Sequence, residues 1–167
     1  VIDESYPQLS MFEDVPKVTS QFKFIEADKS MVSIKKKFDC VQKIDLLEIG
    51  GKPYIKDLVK NYELKGNYGL MYCVDLTLVN SQHKPKEVKL FFSPKKDNAI
   101  DRGVFIIDDK IKEVGILTQK NEVVSMQKFY NTMLKPKESK EVSFVLFPQA
   151  GCYYPIDIII KSDERLL

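Results

Sequence analysis

His83 is the one histidine in the 167 residues, so a Ser-His-Asp or Cys-His mechanism would have to be built around it. It sits in "NSQHKPK", a polar turn between two alternating runs, where the expected role is a solvated turn residue rather than a general base. Carboxylate pairs are available in any chain with 24 acids, and no framing motif singles one out here. "KKDNAIDRG" (95–103) offers Asp97, Asn98 and Asp101 as oxygen ligands on a loop. Calcium takes about six to eight oxygens, and this segment lacks the placed glycine and distal glutamate of an EF-hand. An ordinary turn is therefore expected, with a structural calcium as the alternative. "KGNYG" (65–69) has the glycines of an anion-binding backbone nest, and a tight turn leading into a strand accounts for them as well.

Cys40, Cys73 and Cys152 are widely separated, with no CxxC. A zinc site needs four close ligands, mostly in paired spacings, so none is expected. An odd number of thiols leaves at least one free or bonded to another molecule, and the compartment stays open on this ground. Sugar-binding sandwiches stack their ligands on exposed aromatic platforms, tryptophan above all. This chain has no tryptophan, which leaves Tyr6, Tyr54, Tyr62, Tyr68 and Tyr130 as candidates. No cofactor is implied, and no catalytic, cofactor-binding or metal-ligating residue is assigned.

The bulk numbers point the same way. Hydrophobic content of 44 % with 30 % charged residues fits an ordinary folded domain. No apolar run approaches the roughly 20 residues that cross a bilayer as a helix. Of the 26 basic residues only Arg102 and Arg165 are arginine, and the net charge is +2. Nucleic-acid surfaces favour arginine on one concentrated basic face, so nucleic acid is not an expected partner. The densest cluster, Lys35-Lys36-Lys37, reads as an exposed strand end. The chain starts at Val1, which suggests a processed protein or a piece of a longer one.

The elements that must hold these residues are strands. Residues 1–20 carry Pro7, Pro16 and scattered acids without periodicity, and read as a leader or linker. "QFKFIEA" (21–27) and "SMVSIKK" (30–36) look like two short strands. In "KIDLLEIGGKPYIKDLVKNYELKGNYG", Ile44, Leu46 and the Gly50-Gly51 pair favour a hairpin. Ile55, Leu58, Val59 and Tyr62 fall at helical spacing, so one or two helical turns are expected after it. From residue 70 the pattern is plainly β. "LMYCVDLTLVN" puts Leu70, Tyr72, Val74, Leu76 and Leu78 on one side, with Asp75 and Thr77 on the other. "EVKLFF", "GVFIID", "KIKEVGIL" after an Asp108-Asp109-Lys110 turn, "EVVSMQKFY", "EVSFVLF" and "YPIDIIIK" follow. About seven strands in about ninety-five residues predict an antiparallel β-sandwich. Shared parity places Leu76, Leu78, Val88, Leu90, Phe144, Leu146, Ile156 and Ile158 in one core.

Three stretches carry a resemblance. "AGCY" (150–153) resembles the small-residue corner ahead of a tyrosine in immunoglobulin-like sandwiches. "LKPKESKEVSFVLF" (134–147) looks like the Leu-x-Pro-x-Glu-Ser turn and strand of immunoglobulin-like and fibronectin-III-like modules of bacterial exported proteins. "NYGLMYCVDLTLVN" (67–80) looks like their second strand with its closing asparagine turn. The resemblance covers about residues 64–162, at superfamily level. It implies that the hydroxyl of Tyr153 ties back to upstream backbone. Two features depart from it. Pro155 stands where an antibody-type domain has its second cysteine, and no strand follows Ile160, so an N-terminal strand such as Gln21–Ala27 would have to replace the last one. Cys73 has the polar parity of Asp75 and Thr77, whereas Cys152 has that of Ile156 and Ile158, so the two are not expected to be joined.

These readings divide the chain into a leader (1–20), an N-terminal β-rich extension packing on the sandwich (21–63), an Ig-like sandwich (64–162) and a tail (163–167). The expected function is that of a non-catalytic module of an extracellular, periplasmic or cell-surface protein. It would act in structure, assembly or protein binding, with another protein or another domain of the same chain as partner. The alternative is a carbohydrate- or calcium-binding accessory domain of a larger enzyme.

Overall fold

Between residues 71 and 79 every second side chain is buried: Tyr72, Val74, Leu76 and Leu78 are sealed, while Met71, Cys73, Asp75, Thr77 and Val79 are half-buried. That period of two is the signature of a strand with one face on a core, and it recurs through the chain. The computed structural model describes residues 31–53, 56–57, 62–63, 67, 70–95, 100–117, 126–148 and 154–164. Its strands are β1 (Met31–Asp39), β2 (Ile44–Ile49), β3 (Lys56–Asp57), β4 (Tyr62–Glu63), β5 (Met71–Val79), β6 (Lys86–Pro94), β7 (Ile100–Ile107), β8 (Lys110–Leu117), β9 (Gln127–Leu134), β10 (Ser139–Pro148) and β11 (Ile156–Glu164). Among the described residues the only helical turn is a 3-10 turn at Cys40–Gln42.

Two sheets carry the molecule. One has the order β1-β5-β10-β7-β8 and the other β2-β11-β6-β9, while β3 and β4 form a small ladder of their own. Among the described residues all pairings are antiparallel except β1 with β5. Chain neighbours alternate between sheets, and only β7–β8 and β3–β4 are hairpins within one. The protein is therefore a β-sandwich, and residues 71–164 supply seven strands as the alternation predicted. Leu76, Leu78, Val88, Leu90, Phe144, Leu146, Ile156 and Ile158 are all buried in a single cluster. At its centre Phe105 stacks on Phe129 with ring centroids 4.2 Å apart, and Phe92 and Phe144 pack against Phe105 at 6.0 and 5.8 Å.

Local chemistry explains the turns. Asp108 and Asp109 have φ of 50° and 57°, which makes the two-residue link between Ile107 and Lys110 the kind of turn that matches strand twist. In the β9–β10 link the N–H of Glu138 donates to the carbonyl of Lys135 at 3.2 Å. Pro136 sits at its second position and Lys137, with φ of 60°, at its third. Asn80 is fully buried and joins this turn to the β5–β6 link. Its Nδ2 donates to the carbonyls of Lys84, Lys135 and Leu134 at 2.8, 3.0 and 3.3 Å, and its own N–H donates to Glu138 at 2.9 Å.

Several expectations are corrected. β2 is followed by Gly50 at φ 86°, yet its ladder partner is β11, more than a hundred residues on, rather than a strand just past the glycines. A Cβ on Gly50 would come within 3.0–3.1 Å of the Tyr154 side chain, so the glycine serves close packing as well as the turn. Lys56–Asp57 and Tyr62–Glu63 pair as strands instead of entering helical turns; Ile55, Leu58 and Val59 lie outside the described residues. β9 runs from Gln127 to Leu134, so "QKFY" is strand while residues 122–125 lie outside the described residues, and a bulge opposite Leu90/Phe91 puts Phe129 and Tyr130 both inside. A period-two reading breaks at such a point. Residues 31–49, ahead of the expected sandwich boundary near residue 64, contribute one strand to each sheet. The strand expected at 21–27 lies outside the described residues.

Both lateral seams between the sheets are crossed by a lysine on the inner face of an edge strand. On β1, Lys36 shares parity with the buried Val32 and Phe38. Its Nζ reaches the carbonyl of Leu46 at 2.6 Å and the carboxylate of Asp45 at 3.0 Å, both on β2. On β8, Lys112 reaches the carbonyl of Phe129 on β9 at 2.7 Å, and the N–H of Gly115 donates to Oε1 of Gln127 at 3.3 Å. The lysine triplet is thus divided: Lys35 and Lys37 are exposed while Lys36 turns inward.

Candidate functional site

The residues singled out for chemistry do not converge. His83 is exposed on the bend between β5 and β6. Asp101 is fully buried within β7 rather than displayed on a loop, and Asp97 and Asn98 lie outside the described residues. Asn67, in the "KGNYG" turn, is buried with its Nδ2 donating to the carbonyl of Lys52 at 2.6 Å and to the Tyr72 hydroxyl at 2.9 Å. That arrangement braces the turn with side-chain bonds. No group of three or more His, Cys, Asp or Glu side chains among the described residues is arranged to hold a metal. Tyr130 is buried and offers no platform for a sugar; Tyr62 is in β4, and Tyr6, Tyr54 and Tyr68 lie outside the described residues.

Among the described residues it is the hydroxyl of Tyr154 that reaches back across the fold. It donates to the carbonyl of Arg102 at 3.0 Å, 52 residues upstream. Tyr153 and the "AGC" ahead of it lie outside the described residues, as does Cys152. Cys73 is a free thiol, half-buried on the outward parity of β5. Cys40 is free and buried, and burial, with Asp39 beside it, pushes its thiol above the usual range. A thiol held protonated is a poor nucleophile.

What the fold does build is two outward faces of different character. On the five-stranded sheet the ladder aligns Ser33, Cys73, Val145, Ile106 and Ile111 in one row across all five strands. The next row has Met31 beside Met71, and Phe147 beside Val104, and it ends at the β8 edge on the exposed Glu113. Ile111 is 75 % exposed, Met31 47 % and Ile106 37 %. The other half of the same face is polar: Lys35, Asp75 and Ser143 share a row, as do Lys37, Thr77 and Glu141. There the Ser143 hydroxyl donates to Asp75 at 2.8 Å and the Thr77 hydroxyl to Glu141 at 2.9 Å. The face is split into an apolar field and a hydrogen-bonded polar field.

The outer face of the four-stranded sheet is mostly charged. Leu46, Ile159 and Phe91 form a single apolar row. On one flank Lys89 bridges Asp163 at 3.0 Å and Glu87 at 3.4 Å; on the other Lys95 bridges Glu48 and, at 3.3 Å, Asp157. These contacts order the titrations. The Lys89 ammonium holds the Asp163 carboxyl below its usual range, and the N–H of Val41, then the hydroxyl of Ser81, do the same for Asp39 at the end of β1.

A carboxyl depressed by folding adds stability that is complete above its unfolded pKa of about 3.9 and is lost as pH falls through the folded value. Acid unfolding should therefore steepen below about pH 4. Denaturant midpoints measured against pH should show a shallower acid limb for Asp39→Asn and Asp163→Asn. Equal limbs in variant and parent would contradict the assignment. Lys89 and Lys95 are raised by Asp163 and Glu48 respectively, so their contribution is present below about pH 10.4 and lost as pH climbs through the folded values.

Among the described residues no helix is long and apolar enough to cross a membrane. No family model and no curated protein matches this chain.

Proposed function

We propose that the chain is a non-catalytic binding or assembly module, immunoglobulin-like in its strand arrangement, of an exported or cell-surface protein. The observation that carries the binding role is the apolar half of the outer face of the five-stranded sheet. A contiguous apolar field rimmed by polar rows is how interaction surfaces are commonly built. Here Met31, Ile106 and Ile111 stand well into solvent while the adjoining rows are hydrogen-bonded and polar. Support for the immunoglobulin-like arrangement comes from strand order. That fold places B, E and D side by side in one sheet and C, F and G in the other. Here β5, β10 and β7 are neighbours, β6 adjoins β11, and β2 occupies the place beyond β11 where the last strand would lie.

The test uses a photo-activated cross-linking residue at position 106, with position 143 in the polar field as its control, in the cells that make the protein. Defined cross-linked products from 106 and none from 143 are expected. Identical profiles from the two positions would overturn the binding surface. A calcium-dependent rise in melting temperature, or retention on a glycan array, would instead favour a ligand-binding accessory domain. Cell fractionation of the full-length product decides whether it is exported.

A further inference from the structure

Three sulfur-bearing side chains share one corner of the outer face of the five-stranded sheet. β1 and β5 run parallel with Met31 opposite Met71, and Cys73 lies two residues further along β5. All three point away from the core. Met31 is exposed, while Met71 and Cys73 are half-buried on the parity opposite to Tyr72 and Val74. Cys73 is a free thiol. Adjacent strands lie about 4.8 Å apart and alternate residues of one strand about 6.6 Å apart. The three Cβ atoms therefore form a triangle whose longest side is about 8 Å. A metal ion bonded to a cysteine sulfur sits about 2.3 Å from it. Methionine is unbranched and turns about three bonds, so both thioethers can swing to a point above the shorter cysteine.

The surroundings select the ion. Cys73 is flanked across the sheet by Ser33 and Val145, and Phe147 follows one step past the Leu146–Tyr72 pair, beside Met71. Asp75, the next outward residue of β5, already accepts the Ser143 hydroxyl at 2.8 Å. Hard cations take carboxylate, carbonyl and water oxygens, whereas thiolate and thioether sulfurs suit Cu(I) and ions like it. Charge agrees with softness. One thiolate and two neutral thioethers carry a single negative charge, so a monovalent ion leaves the site neutral. A divalent ion would leave it charged among apolar neighbours.

We propose that Met31, Met71 and Cys73 form a three-sulfur site for a soft monovalent cation, Cu(I) or Ag(I). Binding makes three bonds from sulfur lone pairs to the ion, and the proton of the Cys73 thiol leaves to solvent. No electron is transferred. The site stands whether or not the same face also binds a protein.

Competition for Ag(I) and for Cu(I) against a chelator of known affinity, on reduced full-length protein without oxygen, tests it. One bound equivalent is expected, with a thiolate-to-copper charge-transfer band in the near ultraviolet. Cys73→Ser should abolish it. Met31→Leu and Met71→Leu keep size and apolarity, so both variants should stay folded. Each should weaken binding by at least about tenfold, since even the outer-shell partners of a metal are worth that much. Cys40→Ser and Cys152→Ser should bind as the parent, and excess Zn(II) should leave bound Ag(I) in place. Methionine variants that bind as tightly as the parent overturn the proposal. So do displacement by Zn(II), loss of the ion with Cys40→Ser or Cys152→Ser, and a parent that takes up no ion against the chelator. If Cys73→Ser does not fold, judged by circular dichroism, the two methionine variants decide.

Discussion

Replacing Phe105 by alanine is expected to cost about 3–5 kcal/mol, the largest loss from any single truncation in this protein. Phe105 is fully buried on β7 of the five-stranded sheet. It stacks on Phe129 from the opposite sheet, centroids 4.2 Å apart, and touches Phe92 and Phe144 as well. Removing the ring takes away its transfer free energy and leaves a void between two hydrogen-bonded sheets, which cannot collapse to fill it. Urea denaturation should show the midpoint falling while the m-value stays constant. Ile111→Ala, on the exposed face of β8 rather than in the core, should stay within about 0.5 kcal/mol of the parent. A loss below about 1 kcal/mol for Phe105→Ala would mean the aromatic cluster is not the centre of the core.

The second large effect belongs to a polar residue. Asn80→Ala should cost about 2–4 kcal/mol, because it strips partners from groups that folding has placed around it. An amide has two N–H bonds, and three carbonyls crowd the Nδ2 of Asn80, those of Lys84, Lys135 and Leu134. Its Oδ1 accepts from the N–H of Gln82 at 3.1 Å. Alanine leaves the carbonyl of Leu134 in the interior with nothing to replace the donor. Aspartate at this position is the sharper probe. Asn80→Asp keeps the acceptor for Gln82 but turns a carboxylate toward three carbonyl oxygens, so it should be less stable than Asn80→Ala at neutral pH. Lowering the pH protonates the carboxyl and restores one donor, which should narrow the gap between the two variants. Stability curves at neutral and acidic pH test this; an Asp variant as stable as the Asn parent at neutral pH would show that the turn is not held by donation from position 80.

The candidate surface was only partly legible in the sequence. The turn position of His83 could be read from its polar neighbours, since turns collect such residues whatever the rest of the fold does. Asp101 could not be placed, because "AID" reads equally as the end of a loop or the start of a strand, and only the pairing of β7 with β8 draws it inside. Sequence alone reads Lys36 with its neighbours as an exposed strand end and does not single out Asp45, although a signal is present. Lys36 has the parity of Val32 and Phe38, and Asp45 that of Leu47 and Ile49, so each is a charge on the inner side of an apolar strand. Such a charge is conspicuous only once the two strands are known to face each other.

Which apolar side chains point inward along the regular strands was determined by the sequence itself. Leu76 and Leu78, Val88 and Leu90, Phe144 and Leu146, Ile156 and Ile158 are all buried, because alternation is a property of consecutive residues and survives any choice of partner. The β7–β8 hairpin was equally local, two aspartates able to adopt positive φ between alternating runs. Partner choice was left to the tertiary structure. Nothing between Ile44 and Ile49 says that β11 is its neighbour, and nothing in β1 says that it runs parallel to β5. Those pairings are decided by the joint packing of residues far apart in the chain, so they became visible only when both sheets closed on one core. The bulge that buries Phe129 and Tyr130 together, the reach of Tyr154 to Arg102 and the rows of the outer faces follow from that closure, since each requires a register between strands and no single strand carries one.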